Sequence, residues 1–119
     1  MFDLIFITLA LLAIKHWYVD FVIQTNDELK DKGTYGAWPG IKHSLKHGVA
    51  SAVIFLALDV SFFFSLVIGI LDAVIHYHVD WAKMNYGSKD MSDPKFWHHL
   101  GFDQLIHFLT YLLLVWIVL

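Results

Sequence analysis

The sequence predicts an all-α polytopic membrane protein: one domain over residues 1–119, built as an antiparallel bundle of four transmembrane helices with a polar site in its cytoplasmic half. Composition is the first reason. Of 119 residues, 58% are hydrophobic and 16% charged, where a soluble domain has about 45–50% and about 25%. Patterning is the second. Four stretches hold neither charge nor histidine: Leu4–Ile14, Gly48–Leu58, Val60–Leu71 and Phe108–Leu119. The third is that each stretch runs into a helix-compatible neighbour whose polar residues recur every four positions, so they share one helix face.

Each apolar stretch is only 11 or 12 residues long, whereas a spanning helix needs about 20. Joined to their neighbours they predict helices near 2–25, 41–58, 61–83 and 95–119. In the first, Asp3 stands where a secretory signal would be basic, and no small-residue cleavage site precedes Lys15 and His16; it is read as a retained span. Thr25–Gly40, with Gly33, Gly36, Pro39 and Gly40, reads as a loop, as does Met84–Pro94. Ser92-Asp93-Pro94 offers a cap and a first-turn proline for the last helix. A tight turn is placed at Leu58–Ser61. The rival, a single span over 48–71 and three spans in all, would bury Asp59 at the bilayer centre at a cost of a few kcal/mol.

All eight basic residues are lysines, and all lie in or beside the two long loops. The positive-inside rule then makes those loops cytoplasmic and both termini external. Trp17, Trp38, Trp81, Tyr86 and Trp97 near the lysine-rich end, with Trp116 near the other, fit interfacial aromatic belts. A net charge of −3 without arginine argues against nucleic-acid binding. Absence of cysteine excludes disulfides, thiolate metal sites and thiol redox chemistry. The lipid bilayer is the expected partner. Gly48 and Gly69 permit close helix contacts within the chain, in a homo-oligomer or in a larger membrane complex.

The polar ladders carry the chemistry. They are His16, Asp20 and Gln24; His43, His47 and Ser51; Asp72, His76 and Asp80, with Lys83 near the same line; and His99, Asp103 and His107. Counting about 1.5 Å per residue from the outer helix ends puts His47, Asp72 and His107 about 18 Å deep, and His16, His43, His76 and Asp103 at roughly 22–24 Å. Four ladders at one level predict a cavity open to the cytoplasm, since each group in hydrocarbon needs a partner or water. His78 and His98 fall off the ladders. Lys15, Lys42 and Lys46 read as solvated or headgroup-facing, and Tyr111 and Phe62–Phe64 as packing or lipid-facing.

Imidazole and carboxylate four apart let one helix give two ligands to one ion. The candidate metal ligands are His16, Asp20, His43, His47, His76, Asp80, Asp103 and His107, and nitrogen with oxygen donors suits zinc first, then manganese or iron. Such an ion acidifies a bound water for attack on an ester or phosphoester. Asp72 is then a candidate catalytic base, and Lys83, one turn past Asp80, a point charge for phosphate. A phospholipid or other phosphoester is the expected substrate. The alternatives are a proton or metal-ion transport or relay protein, bis-histidine haem ligation by His47 and His107, and a non-catalytic interaction subunit whose ladders set helix register.

His16-x-x-x-Asp20-Phe21-x-x-Gln24-Thr25, the His43/His47 pair, His76-x-x-x-Asp80-x-x-Lys83 and Phe102-Asp103-Gln104-x-x-His107 resemble the successive motifs of domain-of-unknown-function family 3307. The resemblance covers nearly the whole chain and implies a small membrane protein of a bacterial inner membrane or of a phage. More distantly, the HxxxD pairs are similar to those of zinc-dependent phospholipase C, P1 nuclease and inner-membrane proteins classed as metal-dependent hydrolases. That likeness implies His16, Asp20, His76, Asp80, Asp103 and His107 as ligands; the N-terminal tryptophan ligand of the soluble enzymes has no counterpart at Met1.

Overall fold

The computed structural model describes residues 2–119. It contains α1 (Phe2–Trp17), a π-helical segment (Tyr18–Val22), α2 (Asn26–Asp31), α3 (Trp38–Ala57), α4 (Phe62–Tyr86) and α5 (Pro94–Val118). The long helices touch in a closed ring, α1 on α3, α3 on α4, α4 on α5 and α5 on α1, while α2 rests on α3. The whole measures 44 × 28 × 22 Å.

The fold is all-helical, but the element bounds differ from those expected. The first α-helix stops at Trp17 rather than near residue 25. It continues as a π turn, in which the Ile23 N–H reaches back to the Tyr18 carbonyl at 3.0 Å. The stretch expected as one loop over 25–40 holds α2, nucleated by a capping box: the Thr25 hydroxyl accepts from the Glu28 N–H, and the Glu28 carboxylate accepts from the Thr25 N–H. α3 starts at Trp38, earlier than expected, because Pro39 in the first turn needs no hydrogen-bond partner for its nitrogen. α4 runs on to Tyr86. α5 begins at Pro94 with the Asp93 side chain capping the Lys95 N–H.

Helix is interrupted at residues 58–61, so the single span over 48–71 does not form. The Asp59 N–H donates to the Leu56 carbonyl and the Val60 N–H to that of Phe55, the pair of bonds that closes a helix in a Schellman motif. Asp59 takes the left-handed conformation that motif requires, with φ 64°. α3 and α4 therefore run antiparallel, in close contact at two glycines. A Cβ on Gly48 would lie 2.5 Å from the Gly69 carbonyl oxygen, and one on Gly69 2.6 Å from that of Gly48.

Three helices are long and apolar enough to cross a membrane: Phe2–Val22, Phe62–Tyr86 and Pro94–Val118. They mark an integral membrane protein. Four were expected; α3 falls short because Lys42, His43, Lys46 and His47 crowd its first half. The burial pattern agrees with a lipid setting. Phe6, Val53, Phe62, Ile70, Leu112 and Trp116 face outward, while buried polar and charged residues outnumber buried apolar ones. The apolar core lies toward the Asp59 end, from Leu12, Phe55, Ile68, Tyr111, Leu114 and Val115. The polar core fills the other half, toward the two long connections. Those connections share one end, where the Asn85 amide donates to the Gly33 carbonyl at 2.8 Å.

Candidate metal centre

The ladders converge because each has a four-residue period on a helix of the ring, and a helix turns a polar stripe inward when its other faces meet lipid. His16, Asp20, His43, His47, His76, Asp80, Asp103 and His107 are all buried. The Asp20 carboxylate is the hub of one side, with Oδ1 2.7 Å from His47 Nε2, 3.0 Å from His43 Nε2 and 3.6 Å from His76 Nε2. The π segment carries Asp20, and widening the turn there re-aims that residue inward. Asp80 is the hub of the other side: Oδ2 lies 3.1 Å from His76 Nε2 and 3.4 Å from His43 Nε2, and Oδ1 3.1 Å from His107 Nε2. The imidazoles of His47, His76 and His107 stack in a column, with centroids 3.6 and 4.1 Å apart.

Two donor groups emerge, Asp20/His43/His47/His76 and His76/Asp80/His107, with all ligand atoms of a group within 4.8 Å of one another. Their spacing fits a metal. Donors at about 2.0–2.1 Å from a tetrahedral ion stand about 3.3 Å apart, and His43 Nε2 and His76 Nε2 are 3.3 Å apart. Asp80 Oδ2 and Asp103 Oδ1 are buried, and the nearest imidazole nitrogens, at 3.1 Å and 3.3 Å, are not aligned to donate to them. A buried carboxylate oxygen in that state is costly unless a cation completes it. Since His76 offers one lone pair through Nε2, the two groups cannot both draw on it for separate ions.

The remaining predicted residues divide. His16 Nδ1 meets the Tyr111 hydroxyl at 2.7 Å, and its Nε2 lies 2.7 Å from Gln104 Oε1 and 3.2 Å from Asp20. Asp103 contacts His107 at 3.3 Å and Lys83 at 3.4 Å. Asp72 lies deeper, taking hydrogen bonds from Lys15 at 2.9 Å and Ser51 at 2.5 Å. Gln24 accepts from Lys32, and His99 stands apart, accepting from the Ser88 N–H.

Two expectations are corrected. Lys15, read as solvated, is buried: its ammonium lies 2.9 Å from Asp72, 3.1 Å from His47 Nδ1 and 3.2 Å from the Tyr111 hydroxyl. Tyr111, read as packing or lipid-facing, sends its hydroxyl into the centre. The signal for Tyr111 was present, as it continues the His99, Asp103, His107 ladder by one more turn. Lys15 shares the buried stripe of α1 with Thr8 and Leu12, but the four-residue period through His16 does not mark that lysine. Lys42 and Lys46 pair with Asp27 at 3.3 Å and Glu28 at 2.6 Å. Lys32, which no periodicity marks, is buried and reaches within 3.8 Å of Asp80.

A cleft of about 450 Å³ opens at the loop end, with Asp20 as part of its floor and Gln24, Lys32, Lys83 and Gln104 around it. It gives the centre its way out. The model of a family described as "Protein of unknown function (DUF3307)" matches residues 7–119. The chain belongs to this family. No curated protein and no solved structure matches it. The DUF3307 match takes in every member of both donor groups and of the cleft.

Proposed function

We propose that this DUF3307 protein is a metal-dependent hydrolase of the membrane, acting on a phosphoester or lipid headgroup at the cytoplasmic leaflet. All four long helices then cross the bilayer as an antiparallel bundle, α3 included, with its lysines at the cytoplasmic surface and both termini outside. The observation that carries the reading is the Asp20/His43/His47/His76 group, four donors at ligand spacing in the membrane interior, beside an open cleft. Zinc fits best, with manganese or iron as alternatives.

When bound, the ion supplies Lewis acidity to a phosphoryl oxygen and to the attacking water. The protein's own residues do the rest. Lys83 holds a phosphoryl oxygen as a point charge. Asp103 belongs to neither donor group and lies between Lys83 and His107, and its carboxylate takes a proton from the water as the water oxygen bonds to phosphorus. The P–O bond to the alcohol breaks, and the same proton passes to the leaving oxygen. Asp72 faces Lys15 rather than the cleft, so its part is to hold that charge beside His47.

Transport is the weaker reading. In the outer half, Thr8, Ser65 and Thr110 turn their hydroxyls back to carbonyls of their own chain segment, and apolar side chains fill the space between. Elemental analysis of protein purified in detergent tests the proposal. Stoichiometric zinc, manganese or iron that is lost in His76→Ala supports it; substoichiometric metal after supplementation, unchanged in that variant, removes it.

A further inference from the structure

We infer that the loop-end cleft binds a phosphate monoester carried on an apolar chain, and that Lys32 is its anchor. This rests on the proposed hydrolase reading and names the ligand for it.

Lys32 is held with unusual care for a loop lysine. It closes α2, where its N–H donates to the Glu28 carbonyl at 3.0 Å. On one side a Cβ at Gly40 would stand 2.9 Å from the Lys32 Cα; on the other, a Cβ at Gly33 would stand 2.6 Å from Met84 Cβ. Two glycines thus let α3 and α4 close on the backbone around Lys32. The side chain, 5% exposed, enters the cleft above Asp80. Of the three donors on an ammonium group, one meets Gln24 Oε1 at 3.1 Å. Asp80 lies beyond good hydrogen-bond length at 3.8 Å, so donors are left for a ligand.

The rest of the cleft decides what that ligand is. Lys83, paired with Asp103 at 3.4 Å, and Lys89 also line it, with Asp20 as the one carboxylate among the described residues of the lining. Three ammonium groups against that one carboxylate favour a dianion over a carboxylate and oppose a choline or ethanolamine end. Its other wall is apolar, from Phe21, Leu29, Met91, Phe96 and Leu100. Phe21, Leu29 and Met91 are exposed, and so present surface that an acyl or prenyl chain would cover. Phosphate and hydrocarbon on one molecule satisfy both walls.

Calorimetry on the whole protein in phosphatidylcholine nanodiscs tests this, with inorganic phosphate, short-chain phosphatidic acid and short-chain phosphatidylcholine as probes and metal content measured in every sample. Phosphatidic acid should bind more tightly than either other probe. Lys32→Met should weaken it by about tenfold or more at unchanged metal content, with Lys32→Arg recovering most of the loss. Phosphatidic acid binding unaffected by Lys32→Met would overturn the inference, as would a variant that keeps phosphatidic acid but loses metal, since Lys32 would then only balance Asp80. Equal binding of inorganic phosphate would overturn the apolar half. Lys32-dependent binding in a protein that takes up no metal would sustain this cleft while removing the hydrolase reading.

Discussion

Lys15 and Asp72 are 3% and 1% exposed in their side chains and bonded at 2.9 Å, in the interior of the helix bundle where neither charge has water to fall back on. Removing one partner strands the other, which costs about 3–5 kcal/mol for a buried pair. Lys15→Ala should therefore lower the unfolding midpoint in detergent sharply, and Lys15→Met combined with Asp72→Leu should recover most of the loss; a small effect of the single change would place the pair in water. Glu28, itself buried, makes a second ion pair outside the spans, with the partly exposed Lys46. Burial pushes its carboxyl up, but hydrogen bonds from Lys46 and from the Thr25 N–H outweigh this and hold it below the usual range. A depressed carboxyl contributes stability above its ordinary pKa, and that contribution disappears as pH falls through the lowered folded value. Wild type should thus melt above Glu28→Gln at neutral pH, with the gap closing toward acid; a gap that widens on acidification would contradict the ion pair with Lys46.

Among the elements, α3 and α4 form the tightest contact, and it depends on having no side chain at the crossing. At Gly48 an added methyl meets a backbone oxygen that cannot move aside, so Gly48→Ala should cost about 1–3 kcal/mol as overpacking. Gly101 lies inside α5 with open space around it. Gly101→Ala should instead stabilise by about 0.5–1 kcal/mol through helix propensity. Thermal unfolding of the two variants separates them, and equal effects would mean that α3 and α4 do not meet at this register. The π segment acts at the same scale: one widened turn sets Asp20 among three imidazoles from α3 and α4.

At the scale of the whole molecule, the polar half and both long connections share one end, and the Asp59 turn and apolar core share the other. The chain has no cysteine, so a single introduced one reports its own side of the membrane. In intact cells, Asp59→Cys should react with an impermeant maleimide from outside, and Ser92→Cys only after permeabilisation. Labelling of both from the same side would refute the proposed orientation.

The ladders were legible because a four-residue period fixes a helix face whatever the neighbours are, and lipid leaves a polar face nowhere to go but inward. His16, Asp20, His43, His47, His76, Asp80, Asp103 and His107 could be picked on that ground, and Tyr111 by extending the same rule one turn. The capping box of α2 was also written in Thr25 and Glu28. Lys15, one residue from His16, points about 100° away on a regular helix, and only the packing of α1 against α3 and α5 turns it toward Asp72. Lys32 lies where no period operates; its place follows from two glycines that let separate helices close around its backbone. Local sequence determines which face of a helix is polar, because the helix repeat is a property of the chain itself. Which polar residues meet, at what distance and with what left unpaired, belongs to the tertiary structure, because those distances are set between segments that the sequence keeps far apart.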